Sequence, residues 1–134
     1  KPYLDTVIYA GIKSLEIDNL IIVIKPLTDE AKKNFSFDDL EIEAHIKGEN
    51  NTYVVWIDNN LNRSKYIEIF SHELIHLKQY YTKDLVIQDN IPIWKGKKID
   101  VGSIKYENRP WEKDANSDQD VLETKMIKIL YGIN

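Results

Sequence analysis

The chain contains no cysteine, and this absence limits its chemistry more than any other feature of its composition. Without thiols it has no disulfide bond, no cysteine nucleophile and no thiolate ligand for a metal. A transition metal would therefore have to be held by histidine and carboxylate side chains. Histidine is itself scarce, with three residues among 134, so a place where two of them fall together is informative.

Long apolar runs and an excess of one charge are missing as well. The longest apolar run, Leu20 to Ile24, is far shorter than the roughly 20 residues that a transmembrane helix needs. The residues after Lys1 and Pro2 form an amphipathic stretch rather than the apolar core of a signal peptide. With 18 basic and 22 acidic residues the formal net charge is -4, so composition predicts neither a nucleic-acid partner nor a membrane partner.

The length fits a single domain over residues 1–134, and apolar periodicity predicts its helices. Helices are predicted over Tyr3 to Ile17, Arg63 to about Thr82, and Pro110 to about Leu130. Asn59, Asn60 and Asn62 suit the start of the central helix, Pro110 suits a first helical turn, and Gly132 suits a stop.

Strands are predicted where β-branched residues run together or alternate with polar ones. The predicted strands are Leu20 to Lys25, Glu41 to Lys47, and Thr52 to Asp58, the last two forming an antiparallel hairpin. Residues 28–39 are predicted to be a loop, and residues 85–106 an irregular hairpin excursion. This order predicts an α+β fold, with a small antiparallel or mixed sheet packed on the central and C-terminal helices.

The segment that indicates function is an H-E-x-x-H motif, His72 to His76, inside the predicted central helix. Residues four apart lie on one helix face, so both imidazoles can reach one zinc ion. Glu73 lies one step round the helix from His72, where it can act as general base toward a water on the metal. The motif uses two of the three histidines, and it predicts zinc ligation by His72 and His76.

A catalytic zinc site needs a third protein ligand, and downstream carboxylates are the best candidates. Glu112 is favoured, because it lies in the first turn of the last helix and the small Ala115 lets that helix approach closely. A charge that favours the helix N-terminus is the competing explanation of Glu112. Glu107 and Asp114 stay open as alternatives, and Asp114 would also suit a partner that holds a ligand histidine in its tautomer. His45 is interpreted as a strand-surface residue.

The remaining candidates are aromatic or basic. Tyr106 and Arg109 precede Glu112 closely and are candidates to stabilise an oxyanion beside the metal. Tyrosines of the central helix, Tyr80 among them, are assigned to packing. The tryptophans are expected in the core or in the wall of a groove, and they are Trp56, Trp94 and Trp111.

The H-E-L-I-H segment, followed about 35 residues later by R-P-W-E-K-D-A (Arg109 to Ala115), resembles the small gluzincin-type zinc metallopeptidases. The chain is especially similar to short H-E-L-x-H proteins, often of phage or bacterial origin, that carry a P-W-E-x-x-A segment. The resemblance covers Thr52 to about Leu130. Better-known gluzincins have N-E-x-x-S-D where this chain has W-E-K-D-A.

The resemblance implies a minimal gluzincin-like fold and a peptidase that hydrolyses peptide bonds. It implies that Glu112 is the third ligand, that Glu73 is the base, and that Thr52 to Asp58 lies along the cleft to pair with a substrate backbone. A protein or peptide substrate and a cytoplasmic or virion-associated location are the corresponding expectations. The alternative is a non-catalytic phage structural or accessory protein that carries a metal on a peptidase scaffold.

Overall fold

The computed structural model of the protein describes residues 3–35 and 43–132. It confirms the α+β prediction: within these ranges helices surround two small sheets. The helices are α1 (Tyr3–Leu15), α2 (Asp29–Asn34), α3 (Arg63–Tyr81) and α4 (Pro110–Leu130). The strands are β1 (Ile21–Pro26), β2 (Ala44–Glu49), β3 (Thr52–Ile57), β4 (Leu85–Gln88), β5 (Ile91–Trp94) and β6 (Lys97–Lys98). Two 3-10 turns, Val101–Ser103 and Tyr106–Asn108, lead from β6 into α4.

Helix α3 is the centre of the molecule, as the apolar spacing predicted. The side chain of Asn62 caps its first turn by accepting a hydrogen bond from the Lys65 N–H at 2.8 Å. Phe70, Leu74 and Leu77 are fully buried along its inner face. Helices α1 and α4 both pack against α3, and β2 and β3 cover it from another side.

The first sheet is mixed and has the order β1-β3-β2. β1 runs parallel to β3, whereas β2 and β3 form the antiparallel hairpin that the sequence predicted. Tyr53, Val55 and Ile57 of β3 are almost fully buried, which places the inner face of the sheet on the core. β3 is therefore the central strand, and both of its edges are occupied by neighbouring strands.

This topology corrects the expectation that Thr52 to Asp58 pairs with a substrate. A strand that already has a neighbour on each side has no free backbone edge. Among the described residues, the strand that lies beside α3 at the outer edge of this sheet, with no further strand paired to it, is β2 instead. The alternating pattern of β3 reflects its buried position in the sheet and carries no information about which strand is at the edge.

Residues 28–39 were predicted to be a loop, and this is wrong for the described part, where α2 forms. Thr28 caps α2 by accepting a hydrogen bond from the Ala31 N–H at 3.1 Å, and acidic residues precede basic ones along the helix, which favours its dipole. Residues 36–39 lie outside the described residues, as do 41 and 42 of the strand predicted over Glu41 to Lys47. Helix α1 ends at Leu15, before Ile17, because Glu16 adopts a φ of 57°.

The excursion between α3 and α4 is more regular than predicted. β4, β5 and β6 form an antiparallel sheet joined by two-residue turns. Asp89 and Asn90 have φ values of 53° and 64°, and Lys95 and Gly96 have values of 49° and 84°. Two consecutive positive φ angles match the right-handed twist of flanking strands, so each turn makes a tight hairpin.

No helix in the described part of the chain is long and apolar enough to cross a membrane.

The contact of α1 with α3 depends on a glycine. A Cβ atom on Gly11 would lie 2.6 Å from Cε2 of Phe70 and 2.7 Å from Cδ1 of Leu74, both of which are fully buried. Gly11 therefore sets the distance between the two helices, since the core beneath it has no room for a side chain.

Replacing Gly11 with Val should lower the free energy of unfolding by roughly 1–3 kcal/mol, because the added methyl groups overpack this contact. Urea unfolding followed by circular dichroism measures the change. Lys13→Val places the same β-branched residue on the exposed side of α1 and controls for helix propensity. Equal effects of the two substitutions would contradict a packing role for Gly11.

Candidate metal centre

His72, His76 and Glu112 meet between α3 and α4. His72 Nε2 lies 3.0 Å from Glu112 Oε1, and His76 Nε2 lies 3.2 Å from Glu112 Oε2. The two Nε2 atoms are 3.1 Å apart. Three potential ligand atoms, one from each residue, lie within 4.8 Å of one another, so this group can hold a metal ion.

Two glutamine side chains determine which nitrogen of each imidazole faces the cluster. The Gln79 amide donates both of its hydrogens, to the Trp111 carbonyl at 2.9 Å and to Asp114 Oδ2 at 2.8 Å. Its oxygen therefore accepts from His76 Nδ1 at 2.8 Å. Protonation at Nδ1 leaves Nε2 of the neutral ring as the atom with a free lone pair.

His72 is held in the same way by a second amide. Its Nδ1 lies 3.0 Å from Gln119 Oε1, and the Gln119 amide nitrogen donates to Glu123 Oε2 at 3.4 Å. Both neutral imidazoles thus direct a lone pair at a carboxylate and at each other. Acceptors repel at such short separations unless a positive charge, either a proton or a metal ion, lies between them.

The titration behaviour of the cluster has the same cause. Burial alone would raise the pKa of Glu112, but its hydrogen bonds with His72 and His76 outweigh burial and lower the pKa to about 2. The hydrogen bond to Glu112 raises the pKa of His72 against desolvation and the charge of His76. Burial would lower the pKa of His76, but the hydrogen bond to Glu112 and the charge of Glu73 raise it. In the metal-free protein these pKa shifts favour protonated imidazoles beside an ionised Glu112.

Glu73 faces a cleft that adjoins the cluster. The cleft holds about 180 Å³ and is lined by Ala44 and Ile46 of β2, by Glu73, His76 and Tyr80 of α3, and by Glu112. Burial raises the pKa of the Glu73 carboxyl, while the neighbouring histidines oppose that shift. A carboxylate with a raised pKa beside a metal is suited to accept and release a proton near neutral pH.

Tyr106 also borders this cleft, at the opposite wall from β2. Tyr106 is 60% exposed. Partial burial nevertheless raises the pKa of its hydroxyl well above the usual value, and the charge of Glu112 and a hydrogen bond to Glu112 raise it further. The Arg109 guanidinium lies 5.3 Å from the centre of the Tyr106 ring and so contacts it from behind. The hydroxyl remains a neutral hydrogen-bond donor beside the cluster.

The other sequence candidates lie outside the cluster. Glu107 is exposed on the turn before α4, and Asp114 accepts from Gln79, which makes it a partner of the amide that holds His76. His45 borders the cleft from β2, but its ring packs against Phe35 and Trp56, with ring centres 5.0 Å and 5.8 Å away. Trp111 is buried and borders the cleft, in line with the expected groove wall.

Sequence reasoning missed three residues. Gln79 and Gln119 hold the imidazoles, although only acidic residues were considered for that role. Tyr80 was assigned to packing, but it lines the cleft one helical turn after His76. The signal for Gln79 and Tyr80 was their spacing of three and four residues from His76, which puts them beside the same helix face.

No family model matches the chain, and the searches of curated proteins and of solved structures gave no match either.

Gln79→Leu should weaken binding of a divalent metal by roughly 10- to 100-fold, because outer partners of ligand histidines fix their tautomer and orientation. Isothermal titration with zinc measures the affinity. Gln88→Leu makes the same change on exposed β4 and serves as the control. Unchanged affinity in Gln79→Leu would contradict the assignment of Gln79 as a positioning residue.

Metal binding should depend on pH in a direction set by the two histidines. Their raised pKa values mean that protonation stabilises the metal-free fold below the unfolded value of 6.5, and that this contribution is lost as pH rises through the folded values. The lowered pKa of Glu112 has the opposite effect. The ionised carboxylate contributes to the stability of the metal-free fold above pH 4.5, and this contribution is lost as the pH falls toward about 2.

A metal ion displaces the protons of the histidines. The increase in melting temperature on adding zinc should therefore be larger at about pH 8 than at about pH 5.5, where protons compete. Thermal unfolding with zinc and with chelator at both pH values measures the difference. An equal increase at both would show that the metal does not compete with protons on these rings.

Proposed function

We propose that the protein is a zinc-dependent metallopeptidase in which His72, His76 and Glu112 hold the ion. The observation that carries the proposal is the separation of His72 Nε2, His76 Nε2 and Glu112 Oε1, which lie 3.0 to 3.3 Å from one another. Tetrahedral zinc with ligands at about 2.0–2.1 Å requires its ligand atoms to be about 3.3 Å apart. The donor set of two imidazoles and one carboxylate also suits zinc and leaves a fourth position for a water or a substrate.

A bound zinc ion supplies Lewis acidity toward a carbonyl oxygen and toward water. Glu73 is the general base of the proposed reaction: its carboxylate takes a proton from the attacking water and passes it to the departing amine. Because the pKa of this carboxyl is raised, it is better suited to accept the proton and then to release it near neutral pH. Gln79 and Gln119 keep the imidazoles oriented throughout.

Tyr106 is the proposed donor to the oxygen that becomes negative when the carbonyl is attacked. Its hydroxyl lies beside Glu112 at the border of the cleft, and its raised pKa keeps the donated proton on the tyrosine. Preorganised donors of this kind contribute roughly 10²- to 10³-fold to rates of acyl transfer.

A polypeptide is the proposed substrate because the cleft follows the free edge of β2. Ala44 and Ile46 of that strand line the same space as Glu73 and His76. An exposed strand edge offers alternating N–H and C=O groups, which an extended peptide matches with its own backbone.

Glu73→Gln should retain one bound zinc ion while lowering the rate of peptide cleavage by roughly 10²- to 10⁴-fold, since it removes the proton acceptor. Glu112→Gln should lose zinc as well as activity. Metal analysis together with a peptide-library cleavage assay measures both properties.

The exposed residues Glu68 and Glu107 provide matched controls, because Glu68→Gln and Glu107→Gln make the same change on α3 and before α4. Both controls should behave like the wild type. If the wild type and Glu73→Gln both bind zinc and neither cleaves any peptide, the metal site is supported and the peptidase proposal is wrong. A non-catalytic metal-bearing protein would then be the better description.

A further inference from the structure

The cleft beside the metal centre and a second cavity have two lining residues in common, and we refer to the two together as the slot. The second cavity holds about 310 Å³ and is bordered by Gly48 at one side and by Val86 and Ile87 at the other. Tyr80 and Leu85 line both cavities. The slot thus follows α3 from the metal ligands past Tyr80 to the end of the helix, with β2 along one wall and β4 along the other.

The free edge of β2 can be assigned residue by residue from the register. The Asp58 N–H donates to the Glu43 carbonyl at 2.9 Å, which identifies that opposed pair as hydrogen-bonded. In an antiparallel ladder such pairs alternate, so the backbone of His45 and Lys47 also faces β3. The N–H and C=O groups of Ala44, Ile46 and Gly48 consequently face away from the sheet.

The same argument applies to β4. The Lys95 N–H donates to the Asp84 carbonyl at 2.7 Å, so the backbone of Val86 faces β5 in turn. The backbone groups of Leu85 and Ile87 face away from β5, and both residues line the slot. β2 and β4 each lie at the edge of their sheet, and no ladder joins them in the part of the chain that the structure describes.

The two edges run in the same sense along the slot. Ala44 and Ile46 border the nearer cavity together with Leu85, whereas Gly48 borders the farther one together with Val86 and Ile87. One extended strand lying between them can therefore run antiparallel to both. Its N–H and C=O groups point alternately to opposite sides, so one half would pair with β2 and the other half with β4.

We propose that an extended polypeptide segment binds as a strand between β2 and β4 and forms backbone hydrogen bonds with both. This deepens the proposed function and rests on it for the chemistry at the metal, but binding itself needs no cleavage. Two parallel rows of backbone groups that have no strand partner among residues 3–35 and 43–132 are complementary to a peptide backbone and give little selectivity for its side chains. A ligand without that backbone repeat has no equivalent set of partners.

The test uses the zinc-loaded Glu73→Gln protein and the oxidised insulin B chain as an unfolded peptide probe. Amide hydrogen exchange, read residue by residue by nuclear magnetic resonance, is measured with and without saturating peptide. The N–H groups of Ala44, Ile46, Gly48, Leu85 and Ile87 are expected to exchange at least about tenfold more slowly in the complex. Slowing confined to β2, or to neither edge, would overturn the proposal.

Ile87→Pro in the same background removes one outward N–H without removing a bond to β5, while Ile87→Ala removes the side chain and keeps the N–H. The proline variant should bind the peptide roughly fivefold more weakly than the alanine variant, as expected for one lost hydrogen bond. Equal affinities would count against pairing at β4. If the proline variant does not fold, the amide exchange of Leu85 and Ile87 in the Glu73→Gln protein decides whether the peptide pairs with β4.

The wild type separates this proposal from the proposed function. Peptide cleavage without protection at β4 would support the peptidase and overturn the two-edge slot. Protection at both edges without any cleavage would support the slot and remove the peptidase.

Discussion

The close approach of α4 to α3 is the constraint on which the site depends. Glu112 reaches two imidazoles of α3 only because fully buried Ala115 allows the helices to come together one turn later. Gln79 joins the same helices with two hydrogen bonds, to Asp114 and to the carbonyl of Trp111, the residue before Glu112, and it accepts a third from His76 within α3. The Gln79 amide therefore both orients His76 and helps to place the carboxylate of Glu112.

The buried cluster is stable only while all of its members are present. Glu112 is 4% exposed and His76 is 8% exposed, so charged forms of both are held largely away from water. Removing one partner of such a group leaves the other uncompensated, which costs several kcal/mol in typical proteins. The fully buried side chains of Phe70, Leu74 and Leu77 support this arrangement from the inner face of α3.

The sequence predicted those parts of the molecule whose signals are local. The helical spacing around Ile67 and Leu74, the helix-start asparagines that include Asn62, and the β-branched run in Thr52 to Asp58 each specify a structure over a few residues, and the described elements follow them. The proximity of His72 and His76 is likewise a property of one helix. Glu112 was chosen from several carboxylates, and its meeting with the histidines depends on packing between helices.

Other features depend on relations between distant segments and were not predictable in this way. The edge position of β2 follows from β1 pairing with β3, which no pattern within β2 or β3 reveals. Gln119 holds His72 only because α4 comes within hydrogen-bond distance of α3, and the same approach gives the Gln79 amide its partners Trp111 and Asp114. The short helix α2 was missed because its polar sequence lacks apolar periodicity, although Thr28 provided a cap.

The hairpin turn at Lys95 and Gly96 has a practical consequence. Gly96 is exposed and has no atom within 4 Å of the place where a side chain would begin, and neither residue borders the metal cleft. Its φ of 84° makes substitution there strained, whereas a few inserted residues would simply lengthen the loop. This tip is thus a suitable place for an affinity tag or a surface tether that leaves both walls of the cleft open.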